Sequence, residues 1–195
     1  YGHDLDSDEM RARFAPWFRA VDVVSARSPL PESLASMARL PRACGRPDLS
    51  FALCDRADTA GPSMWTEVAR AGTWRATGDL DRAATAFERA LALEPDNWSL
   101  HLDLADVRAE QGDFAAAVHR TEQGLTLAPG EITLRAARAA YRTRLSGSAE
   151  DLRALIRMAP RLTNPSYRDL LFDYACAGEG LPRDLVADAR RSLKS

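Results

Sequence analysis

The side chains best suited to catalysis or metal binding in this sequence are three histidines and three cysteines, and their spacing decides what they could do. His3 lies in an acidic opening, while His101 and His119 fall inside helical patterns. None belongs to an H-E-x-x-H pair, which would set two zinc ligands on one helix face, or to a nucleophile elbow. His101 and Asp103 are two residues apart, so on a helix they point in different directions and make a poor proton-transfer pair. A packed interior histidine is expected at 101. Cys44, Cys54 and Cys176 form an odd set without C-x-x-C spacing, which points to buried thiols rather than a disulfide framework or a zinc site. Cys176 has no identifiable base beside it, so an inert thiol is expected there. Gly178-Glu179-Gly180 has no strand before it and reads as a loop between helices, not a phosphate cradle. A non-catalytic protein without cofactor or metal is the expectation.

Composition narrows the partners. At 195 residues and 46% hydrophobic, the chain is long enough for one domain and shows no disordered composition. A formal net charge of −2 argues against a nucleic-acid binder, which concentrates basic residues to neutralise phosphates. Arginine supplies 25 of the 26 basic residues, Lys194 being the exception, a usage that points to a GC-rich genome. No run of about 18 apolar residues spans a bilayer and no signal peptide is visible, so no membrane partner and a cytoplasmic location are expected. The chain starts at Tyr1 rather than Met, which is compatible with removal of a targeting segment.

The elements that position these residues are set by the stretch from Trp74 to Gly130, where WRATGDLDRAATAFERALALEPDNW is followed by a second version, DVRAEQGDFAAAVHRTEQGLTLAPG. Gly78-Asp79 and Gly112-Asp113, Ala83 and Ala117, and Pro95 and Pro129 are each 34 residues apart. Leu80 to Leu93 reads as a helix with Ala83, Phe87, Ala90 and Leu91 on one buried face. Gly78 stops the helix before it, Asp79 caps it, and Pro95 ends it. Asp96 or Asn97 caps the next helix, Trp98 to Gln111, whose Leu104 and Ala105 make a small apolar strip. This pattern resembles the tetratricopeptide repeat, a helix pair of about 34 residues with a small-residue packing site and a closing proline. The resemblance implies an all-α, right-handed αα-superhelix, a solenoid of stacked antiparallel helix pairs. One such pair cannot bury its apolar face alone, so further copies are expected on either side.

Upstream, Gly45 and Pro62 precede Gly78 and Pro95 by 33 residues, giving a diverged copy at 31–63 with helices near 32–43 and 48–59. Pro41 falls inside its first helix and should shorten or kink it. The clearer copies occupy 64–97 and 98–131. Downstream the register must be argued. With Ser146 at the turn-glycine place, Arg135, Arg138 and Arg142 would face the core, a costly burial of charge. With Gly147 there, Ala136, Ala139 and Ala140 face inward and Leu152, Ile156 and Ala159 line the next helix; this register gives a copy at 132–163. A terminal pair follows at 164–195, with helices near 166–177 and 183–193. Its first face is Tyr167, Leu170, Leu171 and Tyr174, and its second Leu185, Ala189 and Leu193, with Asp184, Asp188, Arg191 and Lys194 on the outer side. Residues 1–30 read as an N-terminal helical cap: Asp4, Asp6, Asp8 and Glu9 open it, Ser7 caps a helix, and Met10, Phe14, Trp17, Phe18, Val21 and Val24 make an apolar stripe interrupted at Pro16.

In the tetratricopeptide family the first helix of each pair lines a concave surface that receives a peptide or a partner helix. Carried onto this chain, those places hold Trp65, Val68, Gly72 and Arg75 from one copy, and Ser99, Leu102, Asp106, Ala109 and Glu110 from the next. Leu134, Tyr141 and Arg144 follow, then Arg168 and Phe172, with Arg39 and Arg42 from the diverged leading copy. Trp65, Leu102, Tyr141 and Phe172 would act as apolar anchors, with arginines holding a carboxylate-bearing ligand. Val68, Gly72 and Leu102 stand where members that bind acidic chaperone tails carry Lys and Asn, which disfavours that activity. The resulting expectation is an adaptor for a protein or peptide. The alternatives are a homo-oligomeric assembly domain joined through Phe14, Trp17 and Phe18, and an accessory enzyme or small-molecule carrier using the groove as a pocket.

Overall fold

A computed structural model of the protein describes residues 8–27 and 30–193. The Ser7 cap, most of the acidic opening, His3 and Lys194 lie outside the described residues, as does the Met10 side chain. Among the described residues the regular structure is helical, with no strand. The fold class is the all-α repeat of antiparallel helix pairs, the αα-superhelix class, and the chain divides into two units meeting between Pro95 and Asp96.

The first unit opens with α1 (Asp8–Arg27), which continues through Pro16 instead of breaking there. Its C-terminal half docks on the rest of the unit. Val21 packs against a core of Leu34, Ala35, Leu53, Cys54, Ala57 and Ala69. The Arg56 guanidinium donates to the Ser25 hydroxyl and carbonyl oxygens, both at 2.7 Å. The expected first helix of the diverged pair is split into α2 (Pro31–Met37) and α3 (Arg39–Ala43). Pro41 is the cause, because it has no N–H to offer the carbonyl one turn back. The Ala38 carbonyl at the break accepts the Arg42 N–H at 3.4 Å and also the Ser50 hydroxyl at 2.9 Å, from α4 (Pro47–Asp58). Ser50 also shares a 2.8 Å hydrogen bond with Thr73 of α5 (Met64–Ala76), so the break is fastened to the next pair. In α6 (Leu80–Leu93) Ala83, Phe87 and Ala90 of the predicted face are buried and Leu91 is half-buried, Asp79 caps the Arg82 N–H, and Gly78 takes a φ of 81° to make the turn. Trp74 is held between Phe51, 4.3 Å away, and the Arg82 guanidinium, 4.7 Å from its ring.

The second unit contains α7 (Trp98–Glu110), α8 (Phe114–Leu127), α9 (Ile132–Ser146), α10 (Ala149–Met158), α11 (Pro165–Cys176) and α12 (Arg183–Arg191). A short 3-10 turn, Ala159–Arg161, follows α10. Asn97, Asp113, Ser148 and Asn164 each cap a helix through a side-chain oxygen. α9 ends at Gly147, whose φ is 66°, with Ala136, Ala139 and Ala140 buried. Arg135 and Arg142 are exposed and Arg138 half-buried, so the Gly147 register is the one adopted. Gly124 of α8 lies so close to Leu134 and His101 that a methyl group there would already be tight, which is how α7, α8 and α9 come together. On α12, Leu185 and Ala189 face inward while Asp184, Asp188 and Arg191 are exposed.

Candidate interaction surface

In the first unit, Trp65, Val68, Gly72 and Arg75 recur at spacings of three, four and three along α5, which puts them on one helix face. Trp65 is 52% exposed, a large apolar group facing solvent, and Val68 is half-exposed. Arg42 reaches this face from α3. Its Nη1 donates to the Ala69 carbonyl at 3.5 Å and lies over Gly72, in the space a Cβ would fill. Burial, together with the charges of Arg39 and Arg75, holds Arg42 below the ordinary arginine pKa. The guanidinium nonetheless keeps its charge at neutral pH.

In the second unit, the places expected to line a surface are largely occupied by packing. Tyr141 is 0% and Phe172 1% exposed, so neither presents the anchor expected of it; both belong to the core with Leu134, Leu171 and Ala175. Asp106, 8% exposed, accepts two hydrogen bonds on the same carboxylate oxygen: from the Tyr141 hydroxyl at 2.5 Å and from the Tyr167 hydroxyl at 2.7 Å. Burial and then the Asp106 charge push both phenols well above the usual tyrosine range. Tyr141 further packs edge-on to Tyr174, with Phe114 alongside, and the Arg144 guanidinium covers Phe114 at 5.2 Å. Arg168 bonds Asp169 and the Leu193 carbonyl, so it ties its own helix to the segment that follows α12. Leu102 packs partly buried on the core, and Ala109 is buried. Glu110, Ser99 and Arg144 stay half-exposed.

The sequence reading missed Tyr167 as a partner of Asp106. The available signal was the spacing: Asp106 and Tyr141 are 35 residues apart, as are Gly112 and Gly147, so they hold equivalent places on adjacent first helices. Among the described residues the remaining histidines and cysteines form no constellation. His101 is buried on α7, and burial pushes Cys54 up to about 11 and raises Cys44 and Cys176. Among the described residues no group of three or more His, Cys, Asp or Glu is placed to hold a metal ion. No described helix is long and apolar enough to cross a membrane.

A tetratricopeptide-repeat family profile matches residues 75–132, the stretch of the two clearest copies. Tetratricopeptide repeat protein 36 of Mus musculus is 33% identical over 121 residues, 58% of this chain and 64% of that protein. The chain is a tetratricopeptide-repeat protein. It spans just under two thirds of the length of that relative. The repeat architecture extends across the described chain: the MamA crystal structure aligns with a TM-score of 0.57 at 16% identity, covering 100% of this chain and 99% of that one. YrrB, described as a TPR protein with an unusual peptide-binding site, aligns at a TM-score of 0.52 and 14% identity over 81% of this chain and 90% of its own. At these identities the two structures speak for the fold alone.

Proposed function

We propose that this tetratricopeptide-repeat protein is a non-catalytic adaptor that binds a peptide or partner helix on its first-helix face, centred on α5 of the first unit. The observation that carries the reading is the row of Trp65, Val68, Gly72 and Arg75: an exposed indole and a half-exposed valine beside a charged group, on one face of a helix whose opposite face is core. Exposed aromatic side chains next to arginine are the composition of binding hot spots. The fold supports the reading, because repeat stacks present extended surfaces to partners. YrrB, a protein of the same fold, is described as having a peptide-binding site.

The test is affinity capture from the source cell, comparing the native chain with a Trp65→Asp, Val68→Asp variant. Both positions are accessible, so the variant should unfold at nearly the native denaturant midpoint. Proteins retained by the native chain should be lost from the variant; identical captured sets would overturn the assignment. A second reading, self-association, is favoured by one observation: on α1, Trp17 is 61% exposed and Val24 lies seven residues further on, also exposed. A molar mass by light scattering that stays monomeric across a wide concentration range removes it.

A further inference from the structure

Several arginines of the first unit stand in ion pairs. Arg46 pairs with Asp48, Arg70 with Asp55 and Asp58, Arg82 with Asp79, and Arg89 with Glu67. Arg39 and Arg42 do not: among the described residues no carboxylate stands within ion-pair distance of either, and the hydrogen bond Arg42 makes is to the Ala69 carbonyl. They are three apart on α3, on one side of the helix, and the Arg75 charge acts on Arg42 from α5. Gly72 is the residue over which the Arg42 guanidinium lies, on the same α5 face as Trp65 and Val68. Trp65 and Gly72 are seven residues apart, about 10 Å along a helix axis. Three residues of an extended peptide cover about the same distance.

Resting on the adaptor reading above, we infer that Arg42, seated over Gly72 and flanked by Arg39, holds a side-chain carboxylate of an acidic partner peptide whose apolar residue, about three positions away, packs on Trp65. The fork of the guanidinium suits a carboxylate, and a half-buried position away from full solvent screening strengthens the pair. The like charges of Arg39 and Arg42 repel one another, and a carboxylate between them relieves that repulsion.

The experiment uses the whole chain and fluorescent peptide pools, acetylated at the N-terminus and amidated at the C-terminus, with fixed Leu-x-x-Glu or Leu-x-x-Gln. Fluorescence anisotropy should show roughly tenfold tighter binding of the Glu pool, the effect of one charge-assisted pair. Arg42→Ala should erase the difference between the pools and Arg42→Lys should restore part of it. Gly72→Ala, which displaces the guanidinium without removing its charge, should also diminish it. Circular dichroism melts establish that the variants are folded. Equal binding of the two pools, binding of neither, or discrimination that survives in Arg42→Ala overturns the inference. A third pool, Leu-x-x-Gln with a free C-terminus, separates the sources: preference for that pool alone transfers the site to a chain-terminal carboxylate and overturns the side-chain assignment. Capture that depends on Trp65 and Val68 can succeed while Glu and Gln go undistinguished, so the adaptor reading and this inference fail separately.

Discussion

Asp106→Ala is expected to destabilise the second unit by about 2–5 kcal/mol, because it removes the acceptor shared by one buried and one half-buried phenol hydroxyl. Tyr141 and Tyr167 both donate to the same Asp106 oxygen, and a buried donor without an acceptor retains its desolvation penalty. Tyr141→Phe and Tyr167→Phe should each cost less, about 1–3 kcal/mol, since the carboxylate keeps one of these donors in either case. The two effects should not add, as the groups share one acceptor. Urea unfolding of the three variants measures this directly, and an Asp106→Ala midpoint equal to the native one would contradict it. The same cluster sets an alkaline response. Both phenols have folded pKa values raised above the unfolded value of about 10, so their stabilisation is whole below that pH and is lost as pH rises through the folded values. Tyrosinate absorbance from these two residues should therefore appear only together with unfolding.

Gly147→Ala is expected to cost about 2–5 kcal/mol, far more than the same change at Gly112. Both glycines hold positive φ, 66° at Gly147 and 82° at Gly112, and both close a first helix. A methyl group at Gly112 would meet nothing within 4 Å, which leaves the backbone penalty of about 1–2 kcal/mol. At Gly147 it would run into the backbone carbonyl oxygen of Glu179, in the loop between α11 and α12, which cannot swing away as a flexible side chain could. Comparing the two denaturation midpoints separates the terms. Equal losses would mean that the approach of Gly147 to Glu179 contributes nothing.

That contact shows where the sequence was legible and where it was not. Charge burial chose Gly147 over Ser146 as the turn, because the other register would have turned Arg135, Arg138 and Arg142 inward, and α9 has Ala136, Ala139 and Ala140 inside. Pro41 announced a break in the leading pair, and the chain splits between α2 and α3. Periodicity is a property of one helix, so it reports such features well. It does not say whether an inward first-helix face meets a ligand or the neighbouring first helix. Tyr141 and Phe172 fell on that ambiguity: equivalent places on adjacent helices touch, and there Tyr141 reaches back to Asp106 across 35 residues. Trp65 stood on the other side of it, with 52% of its surface open. Arg42 and Gly72, thirty positions apart, could be brought together only by packing α3 against α5.

The central claim is that partners bind on the α5 face of the first unit. Photo-crosslinking in the source cell, with a reactive side chain placed at position 68 and a control at the exposed Ala92 of α6, tests it most directly. The account predicts a discrete protein adduct from position 68 that is suppressed by the amidated Leu-x-x-Glu pool, and none from position 92. An adduct from position 92 alone, or equal adducts from both, would contradict it.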